Sequence, residues 1–175
     1  MYSLVNAPTV GFDLARFATL YRSRARSALQ AIEDELERYE GPDGTELFDV
    51  PGRALLDEDV PAPPRLLGMW DSLLLAYDDR GRVIPPEYRK QVIRVNGDTL
   101  PTLLVDGYVA GVWRAVPDGI EATAFAPLPD EAWDKLESEA RGLVALLAGR
   151  DPAVYRRYRH WWAKLPAGQT RVLPG

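Results

Sequence analysis

The sequence predicts an α+β fold: a partial winged helix packed on a small antiparallel sheet or partial barrel, with C-terminal helices. Three patterns support this. Apolar residues recur at helical spacing up to Leu36 and then give way to a hairpin pattern. Strand-length runs joined by tight turns fill residues 100 to 126. Two amphipathic helical stretches occupy the last third.

The first helix is predicted over roughly Phe12 to Leu20, and the second begins near Arg22 in "YRSRARSALQAIEDELERYE". Ala25, Ala28, Leu29, Ile32 and Leu36 recur every three or four residues and make one apolar face. Ser23, Ser27, Gln30 and Asp34 lie opposite, with Arg26 at the edge. Beyond Asp34, "LERYE-GPDG-TELFDV" places a turn between two short runs, a hairpin signature. Helix, break, helix, hairpin is the order of the later part of a winged helix-turn-helix, with the usual first helix absent. This assigns residues 1 to 50 to a partial winged helix. Residues 51 to 64, "PGRALLDEDVPAPP", hold four prolines and three acids and read as a linker.

Residues 65 to 175 form the remaining domain. Strands are predicted near 71 to 77, 100 to 105, 108 to 115 and 120 to 126, with Asp106-Gly107 and "VPDGI" as turns. Gly111 in "VAGVW" predicts a bulge or a close backbone approach. Trp70, Trp113 and Trp133 supply large apolar area for the join between sheet and helices. In "PDEAWDKLESEARGLVALLAG", Trp133, Leu136, Ala140, Leu143, Val144 and Leu147 line one helical face, with Asp130 as cap and Gly149 at the end. "DPAVYRRYRHWWAKLP" starts a last helix at Asp151 and Pro152.

Composition removes several chemistries. The 175 residues are 46% hydrophobic and 27% charged, enough for a packed core. The chain has no cysteine and one histidine, His160, so disulfides, thiolate catalysis and conventional zinc sites are excluded. No metal or cofactor is expected. No apolar run approaches the roughly 20 residues of a membrane span, and "MYSLVNAPTVG" lacks a signal-peptide pattern. A cytoplasmic location follows, with nucleoid association if DNA is bound. The formal charge of -5 is unevenly spread: residues 1 to 60 hold six bases and twelve acids, whereas from Tyr155 onward five bases meet no acid. A local basic surface can hold phosphate on an acidic chain.

Asp71, Asp78 and Asp79 invite a paired-carboxylate reading. On a strand, however, Asp71 and Asp79 would lie roughly 26 Å apart, so the residues read as framework and charged turn. Arg80, Arg82, Arg89 and Lys90 are candidate phosphate ligands or a solvated face. Arg22, Arg24, Arg26, Ser27 and Gln30 could enter a DNA groove from the second helix. Against that, Glu33, Asp34, Glu35 and Glu37 follow at once and would repel phosphate. On the last helix, Tyr155, Tyr158, Trp161, Trp162 and Leu165 form an aromatic stripe that reads as core. Arg156, Arg157, His160 and Lys164 form a basic side suited to DNA.

The stretch "VPAPPRLLGMWDSLLLAYDDRGRVIPPEYRKQVIRVNGDTLPTLLVDGYVAGVWR" resembles the C-terminal region of winged-helix DNA-binding proteins related to bacterial interstrand-crosslink DNA glycosylases. The shared phrases fall on Pro61 to Leu67, on Asp71 with Leu73 to Leu75, on Asp79 to Ile84 and on Pro101 to Trp113. "ARSALQAIEDELERYEGPDGTELFDVPG" is similar to the family's third winged helix, so the likeness runs over roughly residues 9 to 173. Family members are longer and carry a Gln-x-Gln or Gln-x-Asp catalytic motif in their N-terminal half. Gln30, Gln91 and Gln169 do not stand in such a motif. The resemblance therefore implies a DNA-binding or scaffolding module, non-catalytic by itself, with double-stranded DNA as partner. Two alternatives stay open. One is a homodimer-forming interaction module, or one whose partner supplies the missing winged-helix portion. The other is a glycosylase subunit or fragment that needs a catalytic half.

Overall fold

A computed structural model of the chain describes residues 11–41, 44–52, 60–150, 159–165 and 167–174. The chain divides into two compact units. One combines Met1–Val60 with Ser72–Arg80, and the other Pro61–Asp71 with Gly81–Gly175. The structure is a mixed α+β fold with small antiparallel sheets, C-terminal helices and a winged-helix-like arrangement.

In the first unit, α1 (Gly11–Phe17) and α2 (Arg22–Ala31) are joined by a short turn. They pack through small residues, Ala15 and Ala25, the latter 0% exposed. The sequence pattern changes only beyond Asp34, whereas the observed second helix stops at Ala31. Three acids follow, and carboxylates at a helix C-terminus oppose the dipole. Glu33–Glu35 instead open a separate 3-10 turn. The expected hairpin is present as β1 (Glu37–Glu40) and β2 (Glu46–Asp49), in register Glu37↔Asp49 to Glu40↔Glu46.

A third helix, α3 (Ser72–Leu75), packs on α1 within this unit. The sequence predicts a strand here, and that expectation is corrected. "SLLLA" contains strong helix formers and no β-branched residue, and the Ala76 amide donates to the Ser72 carbonyl at 2.8 Å. Leu74, Ala76 and Tyr77 are buried. The helix missing from the start of the winged-helix pattern is thus answered, in part, by a segment from beyond residue 60. Of the predicted linker, residues 53–59 lie outside the described part.

The second unit is built on one antiparallel sheet. Its strands are β3 (Arg65–Leu67), β4 (Thr102–Val105), β5 (Tyr108–Val116), β6 (Gly119–Ala124) and β7 (Gln169–Pro174), in that spatial order. Three of the strands predicted from sequence match β4, β5 and β6. Asp106 and Gly107 turn the chain with φ of 50° and 81°, the paired positive values that a two-residue Asp-Gly hairpin requires. The register shifts between Leu103 and Leu104, opposite Gly111 and Val109, so the bulge expected at Gly111 is present.

One sheet face carries Leu66, Leu103, Trp113, Ile120, Ala122, Ala124 and Leu173. They pack on Trp133, Leu136 and Ala140 of α5 (Asp130–Leu147). Both indoles of this layer are satisfied: Trp113 Nε1 donates to the Leu67 carbonyl at 2.8 Å and Trp133 Nε1 to Gln169 Oε1 at 3.1 Å. On the opposite face, Leu100 and Val112 meet Trp161 and Trp162 of α6 (Arg159–Trp162). The short helix α4 (Arg89–Val92) follows a 3-10 turn at Pro86–Tyr88.

Three details depart from the sequence reading. Trp70 does not fill the core: it is 42% exposed, in a left-handed conformation (φ 54°), with its amide donating to Thr99 Oγ1 at 2.7 Å. Asp130 is the first residue of α5 rather than its cap, and its carboxylate accepts from Arg171 at 2.8 Å. The final run returns as β7 instead of ending in helix. The expected start of the last helix at Asp151 and Pro152 lies outside the described residues, with Tyr155, Arg156, Arg157 and Tyr158.

Candidate nucleic-acid interface

The first unit presents α2 as a polar, cationic surface. Arg22, Ser23, Arg24, Arg26, Ser27 and Gln30 are all exposed. Because α2 ends at Ala31, no carboxylate lies on it. The acids that argued against groove contact belong to the following 3-10 turn and hairpin. Glu33 among them is engaged by the Arg38 guanidinium, which also reaches Glu46 of the hairpin at 3.0 Å. Tyr21, directly before α2, is 79% exposed, and Phe17 is 57% exposed. Sequence periodicity gave neither aromatic a role.

Arg22 is shared. Asp78 lies 3.6 Å from it and accepts a 2.8 Å hydrogen bond from Arg16. The Asp78 amide in turn donates to the buried Asp13 carboxylate at 2.7 Å. The Arg16 hydrogen bond, opposed by partial desolvation, and the charges of Arg16, Arg22 and Arg80 hold the Asp78 carboxyl below its usual 3.8. A depressed carboxylate stabilises the fold fully above its unfolded value, and the contribution fades as pH falls through the folded value. Asp78→Asn is therefore expected to lower the melting temperature at neutral pH and to lose the acid-side dependence. Melting curves between pH 7 and pH 3 check this; parallel wild-type and variant profiles would count against the ion-pair account.

Asp78 and Asp79 sit in the first unit and Asp71 in the second. The strand that was to separate them is a helix, so the extended spacing between Asp71 and Asp79 does not apply. No group of three or more His, Asp or Glu residues suited to a metal occurs among the described residues.

The second unit gathers a different set. Arg89 and Lys90 are exposed on α4, and His160 and Lys164 are exposed at α6. Arg94, which the sequence reading passed over, places its guanidinium 4.5 Å from the Trp161 ring centroid. This cation–π contact ties the chain after α4 to α6. Its partners stand far apart in sequence, so no local pattern announces it. Tyr88 and Phe125 meet in a tilted ring contact, with centroids 4.9 Å apart and planes at 49°, beside the same cluster. Trp161 and Trp162 are buried, as the core reading of the aromatic stripe expects. Arg82 belongs to this unit and Arg80 to the first; both make polar or ring contacts within the fold. Arg156 and Arg157 lie outside the described residues.

Two helices, a hairpin and a third helix define a winged-helix-like arrangement, with exposed arginines along the second helix. A family model described as DNA glycosylase AlkZ-like matches residues 8–146, and the chain belongs to that family. Among solved structures, Streptomyces sahachiroi DNA glycosylase AlkZ matches with a TM-score of 0.61 and 25% identity. The match covers 79% of this chain and 38% of that one, so the chain spans well under half the length of that glycosylase. No curated protein matches it. No helix among the described residues is long and apolar enough to cross a membrane.

Proposed function

We propose that this chain is a DNA-binding or scaffolding module related to crosslink-repair glycosylases, corresponding to their C-terminal region without the catalytic half. It works where bacterial DNA is, in the cytoplasm. The observation that supports DNA binding best is the end of α2 at Ala31, which leaves a helix with three exposed arginines and no acid. A second contribution comes from Arg89, Lys90, Arg94, His160 and Lys164 on the sheet-bearing unit. Such contacts act on phosphates and fix position rather than sequence. Duplex affinity measured against salt tests the reading. Binding should weaken steeply as salt rises, with a log-log slope of about -0.9 per phosphate contacted. Absence of binding at low salt, or a flat slope, would overturn it.

By itself the chain is expected to release no base. Incubation with alkylated or crosslinked duplex should leave abasic sites at the buffer rate, and enzyme-dependent abasic sites would refute the non-catalytic reading. Self-association is a second reading, favoured by Phe17, Leu20 and Tyr21, which are 57%, 43% and 79% exposed around the α1–α2 turn. Apolar side chains concentrated in this way are commonly covered by a partner. Sedimentation equilibrium should show a dimer at micromolar concentration; a 19.5 kDa species alone across the series would sink the idea.

A further inference from the structure

The sheet-bearing unit has a cavity of about 450 Å³ on the side of the sheet away from α5. Its floor is a quartet on β5, β6 and β7. Arg114 stands opposite Glu121, and Thr123 stands opposite Thr170. Arg114 Nη2 reaches Glu121 Oε1 at 2.6 Å, and the two threonine hydroxyls are 3.0 Å apart. The walls are Trp162, Ala163, Leu165, Ala167 and Gly168. Three of those five are alanine or glycine, and that is why the space exists. Gly168 also lets the chain descend onto β6: a Cβ there would lie 2.2 Å from the Ala124 carbonyl oxygen.

The chemistry of the quartet narrows the ligand. Arg114 and Glu121 form an ion pair, so the floor presents no net formal charge to a phosphate or another simple ion. What remains is a donor and an acceptor side by side, two hydroxyls that act as either, and an apolar wall from Trp162 and Leu165. A neutral planar heterocycle with a donor and an acceptor adjacent on one edge matches this set, and nucleobases have that edge. The volume falls within the usual range of small-molecule sites, roughly 300–1,000 Å³, and accepts a nucleoside. Arg114 adds a reason for binding to be favourable. Its Nε–H is buried with no acceptor among the described residues, and a rotation of the guanidinium toward a bound acceptor would relieve it.

We propose that this cavity is a nucleobase site, in which Glu121 accepts from a ring or exocyclic N–H, Arg114 donates to the neighbouring acceptor, and the threonines complete the edge. The site takes a base whether it arrives as a free nucleoside or in an unpaired stretch of DNA. It does not depend on the phosphate contacts proposed above.

Calorimetric titration of the full chain with guanosine, cytidine, adenosine and thymidine is the test. At least one nucleoside should bind saturably. Ala167→Leu, which fills the cavity, should weaken it about tenfold or more, the equivalent of one lost anchoring interaction. Thr123→Val with Thr170→Val keeps the volume and removes the hydroxyls; a loss of about threefold to tenfold is expected. Ala163→Leu is the second filling variant should Ala167→Leu fold poorly by circular dichroism. A parallel titration with single-stranded oligonucleotides separates the sources. Weakening by the filling variants in both arms supports a base from either source, and weakening with nucleosides alone restricts the site to the free form. Either outcome leaves the phosphate reading untouched, because salt dependence reports on that separately. No saturable nucleoside binding, or binding that both filling variants leave unchanged, overturns the proposal.

Discussion

Gly111→Ala is expected to unfold the sheet-bearing unit. A Cβ at that position would lie 2.2 Å from the Thr123 carbonyl oxygen and 2.8 Å from the Ala124 Cα. Both are backbone atoms of the paired strand β6, and neither can turn aside as a side chain would. The neighbouring Ala124 and Trp113 are packed in the core, at 0% and 1% exposure. Relief requires β5 and β6 to separate, with loss of the bulge and of the core beneath it. A cost above about 4 kcal/mol is expected, against a total stability of roughly 5–15 kcal/mol for an ordinary domain. Gly142→Ala is the control. It lies exposed on α5 with open space around its Cβ position, and alanine should add about 0.8–1 kcal/mol through helix propensity. Thermal melts of the two variants should move in opposite directions. An unchanged melting temperature for Gly111→Ala would remove the close-approach account of the bulge.

The largest expected effect on binding is at α2. Replacing Arg22, Arg24 and Arg26 by glutamine removes three exposed charges from a helix that carries no carboxylate. If each neutralises a phosphate, the log-log salt slope should fall by about 2.7 in magnitude for duplex DNA. Affinity at low salt should drop for all sequences alike, since phosphate contacts carry no base information. The fold should hold, because the α1–α2 contact rests on Ala15 and Ala25 and the Arg16–Asp78 bond remains. Filter binding over a salt series reads the slope, with circular dichroism as the check on folding. An unchanged slope would shift the phosphate contacts to Arg89, Lys90 and the α6 side.

How much of this was legible in the sequence differs by element. The hairpins were, because Asp106-Gly107 and "GPDG" state their turns locally. So was α5, whose apolar face repeats over 18 residues. The segment around Leu73 to Leu75 was not. A short apolar run bounded by acids reads equally as strand or helix, and leucine alone does not decide between them. The end of α2 was misplaced because apolar spacing continues to Leu36 while the electrostatics of three consecutive acids end the helix earlier. β7 escaped because six residues of modest β-propensity become a strand only when β6 offers them an edge. Of the candidate site, the charges were visible and their engagements were not. Asp78 on Arg16, Glu33 on Arg38 and Arg94 on Trp161 depend on the folded chain.

The late return of β7 governs the order in which the protein can be made. The chain leaves β6 at Ala124 and comes back to it at Gln169, with α5 and α6 between them. Bringing such distant segments together carries a closure entropy that local turns avoid. The β4–β5–β6 meander can form early, as its strands are joined by tight turns. Until Gln169 arrives, however, β6 remains an unpaired strand edge, and the indole nitrogen of Trp133 lacks its partner. On a ribosome that interval lasts while more than forty residues are added, at about 5–20 residues per second. An exposed edge during those seconds is a template for pairing with another chain. Yield in cells should therefore depend on chaperone supply and growth temperature more than the stability of the finished molecule suggests.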